Sequence, residues 1–287
     1  MTTVTRPRPL RRLPGTRAGG RPAPPRPRRP RTFTRRQRWA IGVLNLTAFL
    51  IIWQVAATVT DVPKLFLPSV SEVYAELVEA HREGILLGNL WISLVVYLVG
   101  MAISLVIAIP LGLAIGGVRI LDRVLSPYVW AVYTTPRVIL MPLILLWVGI
   151  NDAARITIIV LSAVPATLVV VMEGVKTVDA SLLRAARAFG AGRLALFGSV
   201  VFPSTVPFIA TGVRMGVTRG LIGLFIGELF TAANGMGYLI TLASKTFNTA
   251  RTIGILFIFI LFCVAMVSLS QLLERKVSQW RASPIAT

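Results

Sequence analysis

The chain of 287 residues is poor in the side chains that do chemistry, with one cysteine, one histidine and 11 acids against 30 Lys and Arg. The lone Cys263 lies in an apolar run, which excludes a disulfide framework or a thiolate metal site, and the lone His81, expected in a loop, excludes a histidine-based one. No G-x-x-x-x-G-K-[ST] segment is present to cradle a nucleotide phosphate, and neither H-E-x-x-H nor a Ser/His/Asp set is available for hydrolysis within a membrane. A catalytic site, a resident metal and a cofactor are therefore not expected, and any ATP chemistry belongs to another polypeptide. Charge is scarce too: 14% of residues are charged, 55% are apolar, and the mean hydropathy is +0.76, which places the chain among membrane proteins.

The net charge of +19 is concentrated at one end. Residues 1–38 carry 13 Arg and no acid, and without them the excess falls to +6. This Arg/Pro-rich stretch has no apolar periodicity and reads as a disordered tail just before a span, where basic residues mark the cytoplasmic side and attract anionic lipid. A nucleic-acid partner is not expected, because no aromatic interleaving or base-reading module follows.

Long uncharged runs then repeat down the chain. Residues 39–60 are long enough for a first span, since a helix rises 1.5 Å per residue against about 30 Å of hydrocarbon. Residues 61–89 turn acidic through Asp61, Glu72, Glu76, Glu79 and Glu83 and are expected outside, with a short helix from Glu72 capped by Ser71. A second span is expected from Leu90 to Gly116, kinked at Pro110. The third covers 127–150, interrupted by Pro136, Arg137 and Pro142, and a tight outer turn at 151–155 leads to a fourth over 156–172. A fifth starts at Pro207, where Gly212, Gly216 and Gly220 form a small-residue ridge suited to close helix packing. Glycines 235 and 237 break the chain before a short apolar piece, and 252–273 make a sixth span ahead of the basic tail 274–287. The expected fold is all-α and polytopic, with about six transmembrane helices and both termini cytoplasmic.

Between spans four and five lies residues 173–207, an amphipathic, cation-bearing stretch that must face water. Leu182, Leu183, Ala185, Ala186 and Phe189 recur at helical spacing, with Arg184, Arg187 and Arg193 on the polar surface. Gly190 reads as a left-handed C-cap, and a second apolar pattern (Leu194, Phe197, Val200, Val201) is expected to stop at Pro203, giving helix, turn, helix.

This loop resembles the cytoplasmic loop of the inner-membrane permeases of ABC importers, whose motif is E-A-A, three residues, G, nine residues, I-x-L-P. The matching positions are Arg184-Ala185-Ala186, Gly190, Val200 and Phe202-Pro203. Spacing is intact, while Arg184 replaces Glu, Val200 replaces Ile and Phe202 replaces Leu. The likeness runs from about Leu65 to Glu274. Leu67-Pro68-Ser69, the run 142–150 and Glu228 followed by 234–239 look like the branch that imports nitrate, sulfonates, taurine and related small anions or pyrimidine precursors. The resemblance implies a type I importer bundle with a permease core over 90–273 in a bacterial inner membrane, working as a homodimer. Its implied partners are two cytoplasmic ATPase subunits, which hold ATP and Mg and grip the loop, and an extracytoplasmic binding protein that delivers the solute. Ionisable residues at depth, Arg137, Arg219 and Glu228, are the candidates for the translocation path. Two rivals are an ion-gradient-driven secondary transporter, which wants carboxylates inside its spans, and a membrane-anchored binding protein acting through the basic tail.

Overall fold

A computed structural model describes residues 34–231 and 234–278. The chain divides into two units, residues 1–48 and 49–287. The expected tail over 1–33 lies outside the described residues. Helix α1 (Arg35–Val59), whose residues 35–48 belong to the first unit, begins four residues earlier than the uncharged run suggests. The cause is a reciprocal cap: the Thr34 N–H donates to Gln37 Oε1 at 2.9 Å, and the Gln37 N–H donates to Thr34 Oγ1 at 3.4 Å.

In the second unit, α2 (Val70–Arg82) starts at a capping box on Ser69 and Glu72, so Ser69, not Ser71, is the N-cap, and His81 sits in the last helical turn, not in a loop. Glu72 also pairs with Lys64 at 2.6 Å, and that bond first, then the Ser69 groups, lowers its carboxyl to about 2. Helix α3 (Ile85–Gly117) starts directly after Gly84, whose φ of +71° turns the chain, so it is longer at its N-terminal end than the span expected from Leu90. The span expected over 127–150 is instead α4 (Arg119–Thr134), a 3-10 turn (Arg137–Leu140) and α5 (Met141–Val148), bent by 89°. Pro136 supplies no amide to α4, and Thr135 before it is held extended, so the helix must end there.

Residues 151–155 are not a turn. The Asn151 side chain accepts the Ala154 N–H at 3.1 Å and caps α6 (Asp152–Lys176), so Arg155 lies inside the helix. A short α7 (Ala180–Ala188) and a single turn α8 (Arg193–Leu196) follow, then a π turn (Phe197–Val201) and α9 (Phe202–Thr231). The expected stop at Pro203 does not occur. The Phe202 N–H reaches back five residues to the Phe197 carbonyl, and this wider turn accommodates the proline at the start of α9. Helices α10 (Met236–Lys245) and α11 (Thr249–Ser278) complete the unit.

Among the described residues there are no strands, and five helices are long and apolar enough to cross a membrane, or six if the bent α4–α5 pair counts as one span. The protein is thus an all-α, multi-pass membrane protein. Helix α6 is the hub, with Ile158, Ile159, Ala163, Val171 and Met172 wholly buried. Helix α9 approaches it closely: a Cβ on Gly223 would lie 2.9 Å from the Ile158 carbonyl oxygen, closer than packed atoms tolerate. Two apolar clusters grip α6 at different levels. Leu168, Met172 and Val164 pack with Leu121, Leu125 and Val129 of α4, while Ala154, Ile158 and Leu161 pack with Met141, Ile144 and Ile226.

Candidate coupling loop and membrane path

The loop between α6 and α9 is built around α7. Asp179 caps it, its carboxylate accepting the Ser181 N–H at 2.7 Å. Its carboxyl is held below the ordinary carboxylate range, chiefly by that amide, with the nearby Arg184 charge adding a smaller contribution. At the other end, the Gly190 N–H donates to the Arg187 carbonyl at 2.9 Å and the Ala191 N–H to the Ala186 carbonyl at 3.0 Å. This paired closure requires a left-handed residue, and Gly190 has φ +81°. Of the residues matching the motif, Arg184, Ala185 and Gly190 are exposed, Ala186, Val200 and Pro203 are half-buried, and Phe202 is 43% exposed. Phe189 and Leu194, on either side of the turn, are 93% and 89% exposed, so the loop presents two bare apolar side chains among arginines.

Contacts with α6 show how deep the path candidates lie. Along α9, Gly212 faces the Thr167 carbonyl, Gly220 faces Ala163, and Gly227 faces Arg155, so the three positions sit progressively closer to the Asp152 end of α6. Arg219, beside Gly220, is therefore level with the middle of both α6 and α3, whose Tyr97 hydroxyl donates to the Val217 carbonyl at 3.1 Å. It is exposed on this chain. Arg137, in the turn between α4 and α5, is half-buried and donates through Nη2 to the Tyr133 carbonyl at 2.9 Å and the Val132 carbonyl at 3.3 Å, with its guanidinium 6.0 Å from the Tyr133 ring centre. Arg214 is tied away, its Nε 2.7 Å from Glu274, which also accepts the Thr211 hydroxyl at 2.8 Å.

Glu228 does not line a path on this chain. It is fully buried, and its carboxylate accepts the Ser93 hydroxyl at 2.5 Å and the Gly237 N–H at 2.8 Å. Ser93 Oγ accepts the Met236 N–H at 2.9 Å, and Asn89 accepts the Gly235 N–H at 2.7 Å. Three successive amides at the start of α10 are thus satisfied by one carboxylate, one hydroxyl and one amide carbonyl. Gly235 has φ +96°, and a Cβ there would strike the Glu228 carboxylate. Arg155, 1% exposed, pairs with Asp152 and donates to the Asn234 carbonyl at 3.1 Å. Sequence reasoning missed Asn89, Ser93 and Arg155. The available signals were the four-residue spacing of Asn89 and Ser93 in a largely apolar helix and a cation one turn into an apolar run.

The described residues thus form a polytopic helical bundle with an exposed amphipathic helix between two packed spans and a buried carboxylate that caps α10. The chain belongs to the family of binding-protein-dependent transport system inner membrane components, which matches residues 105–279. It is 31% identical over 244 residues to a probable ABC transporter permease protein of Brucella abortus (strain 2308), covering 83% of this chain and 95% of that one. It is also 28% identical over 246 residues to the taurine transport system permease protein of Escherichia coli (strain K12), covering 84% and 89% respectively. Relatives of 26–29% identity carry names for aliphatic sulfonate, riboflavin and formylaminopyrimidine transport. The fold is shared with the MetNI methionine ABC transporter in its inward-facing conformations, at a TM-score of 0.55 and 19% identity, covering 68% of this chain and 97% of that one.

Proposed function

We propose that this permease subunit forms, as a homodimer in a bacterial inner membrane, the translocation path of an ATP-driven importer for a small anionic solute of the sulfonate, taurine or nitrate kind. An extracytoplasmic binding protein delivers the solute, and two cytoplasmic ATPase subunits, which hold ATP and Mg, grip α7. The observation that carries this reading is the bare apolar pair Phe189 and Leu194 framing α7 in a membrane protein of this family. Burying both in a groove stabilises the contact by roughly 1.5–3 kcal/mol per side chain. A short helix held in such a groove transmits a rigid-body movement of the ATPase into α6 and α9, provided ATP binding favours one packing of the bundle over the other. Relatives named for taurine and aliphatic sulfonates support an anionic solute.

The test is copurification of the tagged full chain from its native membrane in mild detergent. The expected result is an ATPase subunit in equal amount, lost in Phe189→Ser/Leu194→Ser while the chain still folds. A wild-type chain that copurifies with no ATPase, or a double variant that keeps it fully, contradicts the reading.

A further inference from the structure

We propose that Arg137 and Arg219 together form a mid-membrane binding site for a small oxyanion, a sulfonate or nitrate group, on the open side of the bundle. The inference rests on the importer reading above and adds the site to it. Depth is the first observation. The turn carrying Arg137 lies between the two apolar clusters, one joining α4 to Val164 and Leu168, the other joining α5 to Ile158 and Leu161. Arg219, beside the Gly220 that faces Ala163, falls at that same level of α6. Facing is the second. Arg219 shares one α9 face with Ile222 and Ile226 by helical spacing, and Ile226 packs against the α5 cluster, so this face turns toward the broken span.

Compensation is the third observation, and it decides the matter. No carboxylate pairs with either arginine among the described residues, and the nearest buried acid, Glu228, is committed to α10. Other described arginines within the long apolar helices show the usual solution, Arg155 with Asp152 and Arg214 with Glu274. Arg137 keeps its place through Tyr133 and Val132, while its buried Nε–H has no partner. Two unneutralised cations in the low-dielectric middle of a membrane are costly unless an anion visits them. A guanidinium offers planar donors matched to oxyanions. Lipid phosphates sit at the membrane faces, about 15 Å from this level, which leaves a permeating anion as the occupant.

The experiment measures equilibrium binding of radiolabelled methanesulfonate to the full chain purified with its ATPase partner. Saturable binding is expected in the wild type, weakened about tenfold or more in Arg219→Gln and Arg137→Gln through loss of a charged hydrogen bond, with Arg219→Lys intermediate and Arg214→Gln unchanged. Arg219 makes no bond to the rest of the chain among the described residues, so its variants test the site even where Arg137→Gln disturbs the turn. No saturable binding by the wild type, or equal binding by Arg219→Gln, overturns the site. Retention of the ATPase is read in the same samples. If it is retained while the anion fails to bind, the site alone is rejected; its absence from the wild type rejects the importer reading instead.

Discussion

Glu228 is the residue on which the Asp152 end of the bundle turns, because its carboxylate satisfies a Gly237 amide that α10 cannot bond internally and also holds Ser93 of α3. Glu228→Ala strands both groups, each at about 1–3 kcal/mol, whereas Glu228→Gln keeps one acceptor and costs less. Melting in detergent should follow the order wild type, Gln, Ala, with Gly235→Ala also low because it combines a φ of +96° with a clash on the carboxylate. Equal melting of all four would remove the cap as a structural device. In the sequence Glu228, Asn89, Ser93 and Arg155 stand out only singly, as polar positions in apolar runs, and their association was not legible. Asn89, Ser93, Arg155 and Asn234 are brought together by packing across more than 60 residues of chain, and local periodicity carries no information about such pairs. Phe247 is a second residue the sequence did not flag. It closes α10 at φ +55°, a conformation unfavourable for an aromatic residue, and its side chain is 74% exposed.

At the scale of elements, the strong local signals were readable. Gly190 closes α7 in the left-handed conformation that its position after an amphipathic run requires, and Pro136 and Pro142 mark the broken span. Proline was a poorer guide where a tertiary frame could absorb it. Pro110, Pro165 and Pro207 lie inside continuous helices, and a π turn carries the chain through Pro203. Arg184, at the family's glutamate position, forms no ion pair among the described residues, and its charge adds only the smallest contribution to the lowering of the Asp179 carboxyl. The folded Asp179 carboxyl is depressed, so its contribution to α7 is present above the ordinary carboxylate range and is lost as pH falls through the depressed value. Arg184→Glu reverses a weak, solvent-screened charge contribution at an exposed site, so its effect on α7 should be small. Gly190→Val forces a β-branched residue to positive φ and should cost more, about 1–3 kcal/mol. Hydrogen exchange of α7 should therefore accelerate slightly in Arg184→Glu and strongly in Gly190→Val, and ATPase retention should fall in that order. Strong loss of retention in Arg184→Glu with unchanged exchange would place Arg184 in an ion pair with the ATPase instead.

At the scale of the whole molecule, α6 is packed closely against α3 and α9 at glycines along its length, so these three helices form the tightest part of the second unit. The broken α4–α5 span touches α6 through two clusters separated by a turn, a joint that gives alternate packings somewhere to pivot. In that frame α7 hangs from α6 and α9, where a motor subunit can pull on both. The account stands or falls on that helix lying in the cytoplasm against an ATPase. The direct measurement is a single cysteine at Arg187, in a Cys263→Ala background, probed with a membrane-impermeant maleimide and with a photo-crosslinker, beside a second cysteine at Asn151. Position 187 is expected to label only in inverted vesicles and to crosslink to the ATPase, and position 151 to label only from outside. Labelling of position 187 from outside would contradict it.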